Sequence, residues 1–184
     1  MDMYFYYINS DYIEFLKKYE KDRRSFTCVP NAGYWSAEKF TFGAVLEVNG
    51  IQYFVPVSSY EKKQQDVILM TDKYAKDKTK RNKVLGSLRF TYMIPAPKEC
   101  IIKSDINKMP TPNSRIHVAK ELAFCRRNRD KIKKQAQKTY KRVTSNADPD
   151  LTKNSCVFLL LEEACRYYCS QNHIEFLKSQ KESE

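Results

Sequence analysis

A lysine, three hydroxyl residues and an aromatic lie at the open ends of one predicted hairpin. Lys39 and Thr41 stand at the start of the run KFTFGAVLEV. Ser58, Ser59 and Tyr60 close the run IQYFVPV, with Lys62 and Lys63 just beyond. Such groups suit cleavage of RNA without a metal ion. There the 2′-hydroxyl attacks its own phosphodiester in line, and the site must position the phosphate and stabilise charge on its oxygens. It must also move protons to and from the reacting oxygens. A lysine can neutralise the phosphorane and protonate the 5′-oxygen, serine hydroxyls can hold the non-bridging oxygens, and aromatics can stack the flanking bases. Each residue alone reads more simply, the lysine as a surface lysine and Ser58-Ser59 as an ordinary strand exit. Their combination depends on what brings them together.

That element is a turn. Asn49-Gly50 between two strand-like runs predicts a two-residue type I′ hairpin. Such a turn sets Val48 opposite Ile51, Leu46 opposite Tyr53, Ala44 opposite Val55 and Phe42 opposite Val57, all apolar. Carried further, the same register puts Thr41 opposite Ser58 and Lys39 opposite Tyr60. Lys39, Thr41, Ser58 and Tyr60 then emerge on the less hydrophobic face, with Ser59 on the other. Pro56 cannot donate to a ladder, which predicts an edge or an irregularity in its strand.

Around the hairpin, MYFYYI (3–8) reads as an aromatic strand, and Asn9, Ser10 and Asp11 offer N-caps for a helix over 11–22. Residues 22–39 form a loop long enough to suggest function, carrying Tyr34, Trp35 and Lys39. A lysine-rich loop over 71–83 precedes a strand over 84–97. One long helix is predicted over 113–143, with Val118, Leu122, Cys125, Ile132, Ala136, Tyr140 and Val143 as its apolar stripe. Its other face holds Arg126, Arg127, Arg129, Lys131, Lys133, Lys134, Lys138, Lys141 and Arg142 and reads as a second phosphate-facing surface. A last helix over 152–178 completes a single α+β domain, residues 1–184.

Composition limits the partners. Lys and Arg number 33 against 22 Asp and Glu, a formal charge of +11, which favours a polyanion. No run approaches a membrane span, and no signal peptide is apparent, so a cytoplasmic protein without a membrane partner is expected. Four glycines leave no phosphate-cradling loop, and two histidines supply little acid–base or metal chemistry. Six cysteines without C-x-x-C read as reduced, mostly buried thiols. Neither a metal nor a cofactor is expected. Against the nuclease stands a non-catalytic basic RNA-binding module; a DNA-binding regulator fits less well, with no helix-turn-helix pattern.

The order FYYINSDYIEFL, then GAVLEVNGIQYFVPVSS, GSLRFTYMIPAP, KELAFCRRNRDKI and FLLLEE resembles the ToxN/AbiQ family over nearly the whole chain. Length and basic character look most like the AbiQ branch. The resemblance implies an endoribonuclease toxin of a type III toxin–antitoxin or abortive phage-infection system. It also implies a bent antiparallel sheet related to the Kid/MazF barrel, flanked by helices. Partners so implied are target transcripts and a small repeated pseudoknot RNA, which inhibits the toxin and is processed by it, in a ring-like or smaller assembly. Carried over residue by residue, the family site comprises Tyr12, a tyrosine before the hairpin (Tyr34 or Trp35), Lys39, and the pair Ser58-Ser59. Lys39 aligns without a gap from Gly43, whereas Tyr34 needs a one-residue insertion. The family lysine after the hydroxyl pair falls on Glu61, with Lys62 one place further on.

Overall fold

The computed structural model describes residues 3–31, 33–34, 37–38, 40–73, 75 and 77–175, with the backbone alone at 33, 34, 37, 38 and 80. Lys39 and Trp35 lie outside the described residues, and Tyr34 contributes only its backbone.

Strand β1 (Tyr4–Ile8) leads into helix α1 (Ser10–Arg24). Asn9 caps this helix, its side-chain oxygen accepting from the Asp11 and Tyr12 amides at 2.8 and 3.1 Å. The 22–39 segment contains a small ladder, β2 (Gly33–Tyr34) with β3 (Ala37–Glu38). The hairpin follows as β4 (Thr41–Val48) and β5 (Ile51–Ser58), then β6 (Val67–Thr71) and β7 (Val84–Arg89). The strand expected over 84–97 is interrupted by a 3₁₀ turn at Phe90–Tyr92 and resumes as β8 (Ile94–Pro95); β9 is Ile101–Lys103.

All pairings are antiparallel in the order β6-β7-β5-β4-β1-β9, with β8 also on β5. The sheet is open between its outer strands β6 and β9, so it does not close into the barrel implied by the Kid/MazF comparison. Strand β5 lies inside the sheet. Its Tyr53 and Phe54 pair with β8, whereas Val57 and Ser58 pair with β7. Pro56 falls between these two partners, where the proline without an N–H interrupts no ladder bond on that side.

The turn sets the expected pairs as far as Leu46↔Tyr53, and then the register shifts between Gly43 and Leu46. Beyond the irregularity Phe42 faces Val55 and Thr41 faces Pro56. The expected pairs Phe42–Val57 and Thr41–Ser58 are therefore displaced by two residues. Gly43 suits this place because the Phe54 ring occupies the space a side chain would need. The face predicted to be less hydrophobic is also buried at Thr41, Gly43, Phe54 and Pro56.

The predicted long helix is two helices, α2 (Pro112–Arg127) and α3 (Arg129–Thr144), separated by Asn128. Asn128 leaves the helical region at ψ 18° and turns its amide back onto the Phe124 carbonyl at 2.8 Å. Val118, Leu122, Cys125, Ile132, Ala136 and Val143 are all buried as the stripe predicted. The last helix is likewise shorter: α4 (Pro149–Lys153) precedes α5 (Phe158–Gln171). All six cysteines are free, five of them buried. No helix among the described residues is long and apolar enough to cross a membrane.

Candidate functional site

The end of β5 is held between its neighbours. On one side the Val57 amide donates to the carbonyl of Phe40, the residue that follows Lys39, at 2.9 Å. On the other side Ser58 stands opposite Ser87 of β7, and the Ser87 hydroxyl donates to the Ser58 carbonyl at 3.4 Å. The Ser58 hydroxyl oxygen accepts from the Tyr60 amide at 3.2 Å, forming a local turn that ends the strand. That bond leaves the Ser58 proton available for donation to an anion. Ser59 is exposed, as are Glu61, Lys62 and Lys63, while Tyr60 is half-buried with its hydroxyl accepting from Gln64 at 2.7 Å. The structure thus brings Ser58, Ser59, Tyr60 and two lysines to one strand exit.

Two groups behind that exit were not singled out in the sequence. Gly86 precedes Ser87, and a Cβ there would lie 2.6 Å from Glu121 Oε1 and 2.9 Å from the Ser58 carbonyl oxygen. Glu121 of α2 is therefore wedged against the β5–β7 pair. Burial alone pushes its carboxyl up to about 8, and His117 Nε2 lies 3.4 Å from it. Arg89, at the end of β7, extends its guanidinium over Tyr92 and Tyr60, 4.2 and 5.1 Å from the ring centroids. The alternation of GSLR marks 84–89 as a strand, but only the fold places Arg89 beside Tyr60.

Several predicted site residues lie elsewhere. Tyr12 is fully buried, its hydroxyl donating to the Pro95 carbonyl at 2.8 Å and its ring edge-on to Tyr168. Burial holds its phenol well above the usual range. Thr41 is buried too and donates to the Tyr6 carbonyl at 3.2 Å. Both are supports of the sheet and not surfaces a strand of RNA can touch, which corrects their assignment as RNA-binding residues.

The basic face divides in the same way. Lys131, Lys133, Lys134, Lys138 and Lys141 are exposed on α3. Arg126 and Arg127 cluster in the last turn of α2, a favourable end for positive charge. Arg126 lies over the Tyr4 ring at 4.7 Å, and Lys103 approaches the same ring at 4.0 Å. Arg127 lines a shallow groove with Lys73, Thr71, Phe124 and Asn128. Arg142 does not belong to this surface, because Asp66 and Asp148 bind it at 2.8 and 2.7 Å.

An open antiparallel sheet under helices, with hydroxyls and cations at one strand exit and an exposed basic helix, defines a basic α+β protein suited to a polyanion. Comparison with known proteins makes the class specific. The family model described as toxin ToxN, type III toxin–antitoxin system, matches residues 4–166. This chain belongs to that family. It is 32% identical to the endoribonuclease ToxN of Pectobacterium atrosepticum, over 89% of this chain and 92% of the relative. It is 26% identical to the endoribonuclease AbiQ of Lactococcus lactis subsp. lactis, over 94% and 92% respectively. Among solved structures, AbiQ, a lactococcal anti-phage endoribonuclease, superposes with a TM-score of 0.76 at 25% identity, covering 92% of this chain and 99% of AbiQ. A structure concerning selective toxin inhibition by a non-coding RNA pseudoknot superposes with a TM-score of 0.77 at 26% identity, covering 91% and 98%.

Proposed function

We propose that this chain is a metal-independent endoribonuclease, the toxin of a type III toxin–antitoxin or abortive-infection system, working in the cytoplasm. Its products carry a 2′,3′-cyclic phosphate and a 5′-hydroxyl. The observation that carries the reading is the strand exit, where the Ser58 hydroxyl keeps its proton for a phosphate oxygen and Ser59 is open to solvent. In this reading Ser58 and Ser59 hold the scissile phosphate, and Lys39 acts on the phosphorane or the leaving 5′-oxygen. Tyr34 or Trp35 positions bases, and Lys62 and Lys63 add positive charge. The relatives are named endoribonucleases, which supports the same activity here. A repeated pseudoknot RNA neutralises the toxin, is processed by it, and assembles with it in a ring or smaller complex. The basic face of α3 is suited to its backbone.

Lys39→Ala and Ser59→Ala each abolish RNA cleavage and cellular toxicity while the purified variants stay folded. Full toxicity in both variants overturns the site assignment. The exposed α3 lysines favour one competing reading, a non-catalytic RNA-binding module. In that case RNA incubated with the wild-type protein is shifted on a native gel but recovered intact.

A further inference from the structure

Three arginines among the described residues are half-buried, Arg24, Arg89 and Arg142. Arg24 is paired with Glu20 at 3.2 Å, and Arg142 with Asp66 and Asp148. Arg89 has no carboxylate partner among the described residues, and its Nε is buried without a hydrogen-bond partner. Burying even part of a guanidinium without a counter-charge is costly. Contact with the Tyr92 and Tyr60 rings offsets part of that cost without occupying the N–H donors of the guanidinium fork.

The position of Arg89 indicates what the fork is for. Ser87 and Arg89 are alternate residues of β7 and share a sheet face, and Ser87 stands directly opposite Ser58. Arg89 is therefore about 7 Å along the strand from the serine pair, two residues at strand spacing. That is close to the reach from one phosphate to the next along an extended nucleic-acid strand. Tyr60 links the two places, since its amide bonds the Ser58 hydroxyl and its ring lies against Arg89.

We propose that Arg89, braced between Tyr60 and Tyr92, is a phosphate-binding residue for the RNA phosphate next to the one held by Ser58 and Ser59. The fork presents two parallel donors to that phosphate, a geometry lysine cannot reproduce. Bound RNA supplies the counter-charge that the described residues lack. This subsite rests on the endoribonuclease reading for the phosphate at the serines, but its own test is binding.

The probe is short 2′-O-methylated RNA of random sequence, which lacks the attacking hydroxyl. Its binding is followed by fluorescence anisotropy over a salt series, with thermal unfolding of each variant alongside. Arg89→Gln is expected to weaken binding about tenfold and to reduce the slope of log K against log salt by about 0.7, the value for one single-strand phosphate contact. Arg89→Lys keeps the charge and the alkyl stem. It is expected to retain the wild-type slope and to lose affinity several-fold. Wild-type affinity and slope in Arg89→Gln overturn the proposal whatever happens to its melting temperature. Should Arg89→Gln fail to fold, wild-type affinity in Arg89→Lys overturns it equally. Cleavage of the unmodified strand by the wild type is scored separately. Its absence overturns the nuclease reading, and the Arg89 contact is then judged on binding alone.

Discussion

Buried charge is handled differently on the helical side of the molecule and at the end of β5. On the helical side each carboxylate is saturated. Glu20 accepts from the Cys28 and Val157 amides at 2.7 and 2.8 Å, from the Thr27 hydroxyl at 2.6 Å and from Arg24. It thereby ties α1 to the following loop and to the start of α5. Glu162 accepts from the hydroxyls of Tyr53 and Tyr140, joining α5 to β5 and α3. Asp66 accepts from Gln135, Thr139 and Arg142 of α3. At the strand exit, by contrast, among the described residues Glu121 meets only a half-exposed His117, and Arg89 meets only aromatic rings. Saturated carboxylates hold elements together; Arg89 is left for an anionic ligand to complete, while burial keeps the Glu121 carboxyl protonated far above the usual range.

Glu20 is the most heavily bonded of the saturated carboxylates. Glu20→Ala leaves two backbone amides and a hydroxyl without their acceptor and the Arg24 guanidinium, still bonded to the Ser155 and Lys153 carbonyls, without its counter-charge. A loss of ~3–5 kcal/mol is expected, read as a fall in the urea midpoint, with no change in the salt slope of RNA binding in protein that remains folded. A destabilisation below about 1 kcal/mol contradicts the role of Glu20 as a hub.

The next effect reaches its full size only at the alkaline end of the pH range. The Glu121 carboxyl is raised in the folded protein from an ordinary 4.5 to about 8. Below 4.5 both states hold the proton. Between 4.5 and 8 the unfolded chain releases it while the folded chain keeps it, so the contribution to stability is lost as pH rises through this window. A shift of this size is worth up to ~5 kcal/mol. Glu121→Gln is expected to be stabilised relative to wild type at pH 8 and to show little difference at pH 4.5, measured by urea unfolding. Parallel pH profiles for the two proteins contradict the burial of an uncompensated carboxyl.

Much of this arrangement was legible in the sequence where local rules suffice. The Asn49-Gly50 turn defined the hairpin and its first pairs, Asn9 the start of α1, and the apolar stripe the buried side of α2 and α3. Counting by twos failed beyond Leu46, because it assumes an unbroken ladder and the register slips at Gly43. The helix break at Asn128 left one trace, the seven-residue step from Cys125 to Ile132 in an otherwise three-and-four pattern. Arg142 looked like its exposed basic neighbours because its partner Asp66 comes from a distant segment. Arg89 and Glu121 escaped for the same reason: only the pairing of β5 with β7, and the packing of α2 against them, brings them to Ser58. Tyr12, carried over as a site residue from the family resemblance, proved to be a core residue bonded to Pro95.

Central to the proposed function is cleavage at the end of β5 by the RNA's own 2′-hydroxyl. Purified wild-type protein incubated with RNA in excess chelator, followed by analysis of the fragment ends, tests it most directly. Cleavage leaving 2′,3′-cyclic phosphate and 5′-hydroxyl ends is expected. Intact RNA, or fragments ending in 3′-hydroxyl and 5′-phosphate, contradicts it.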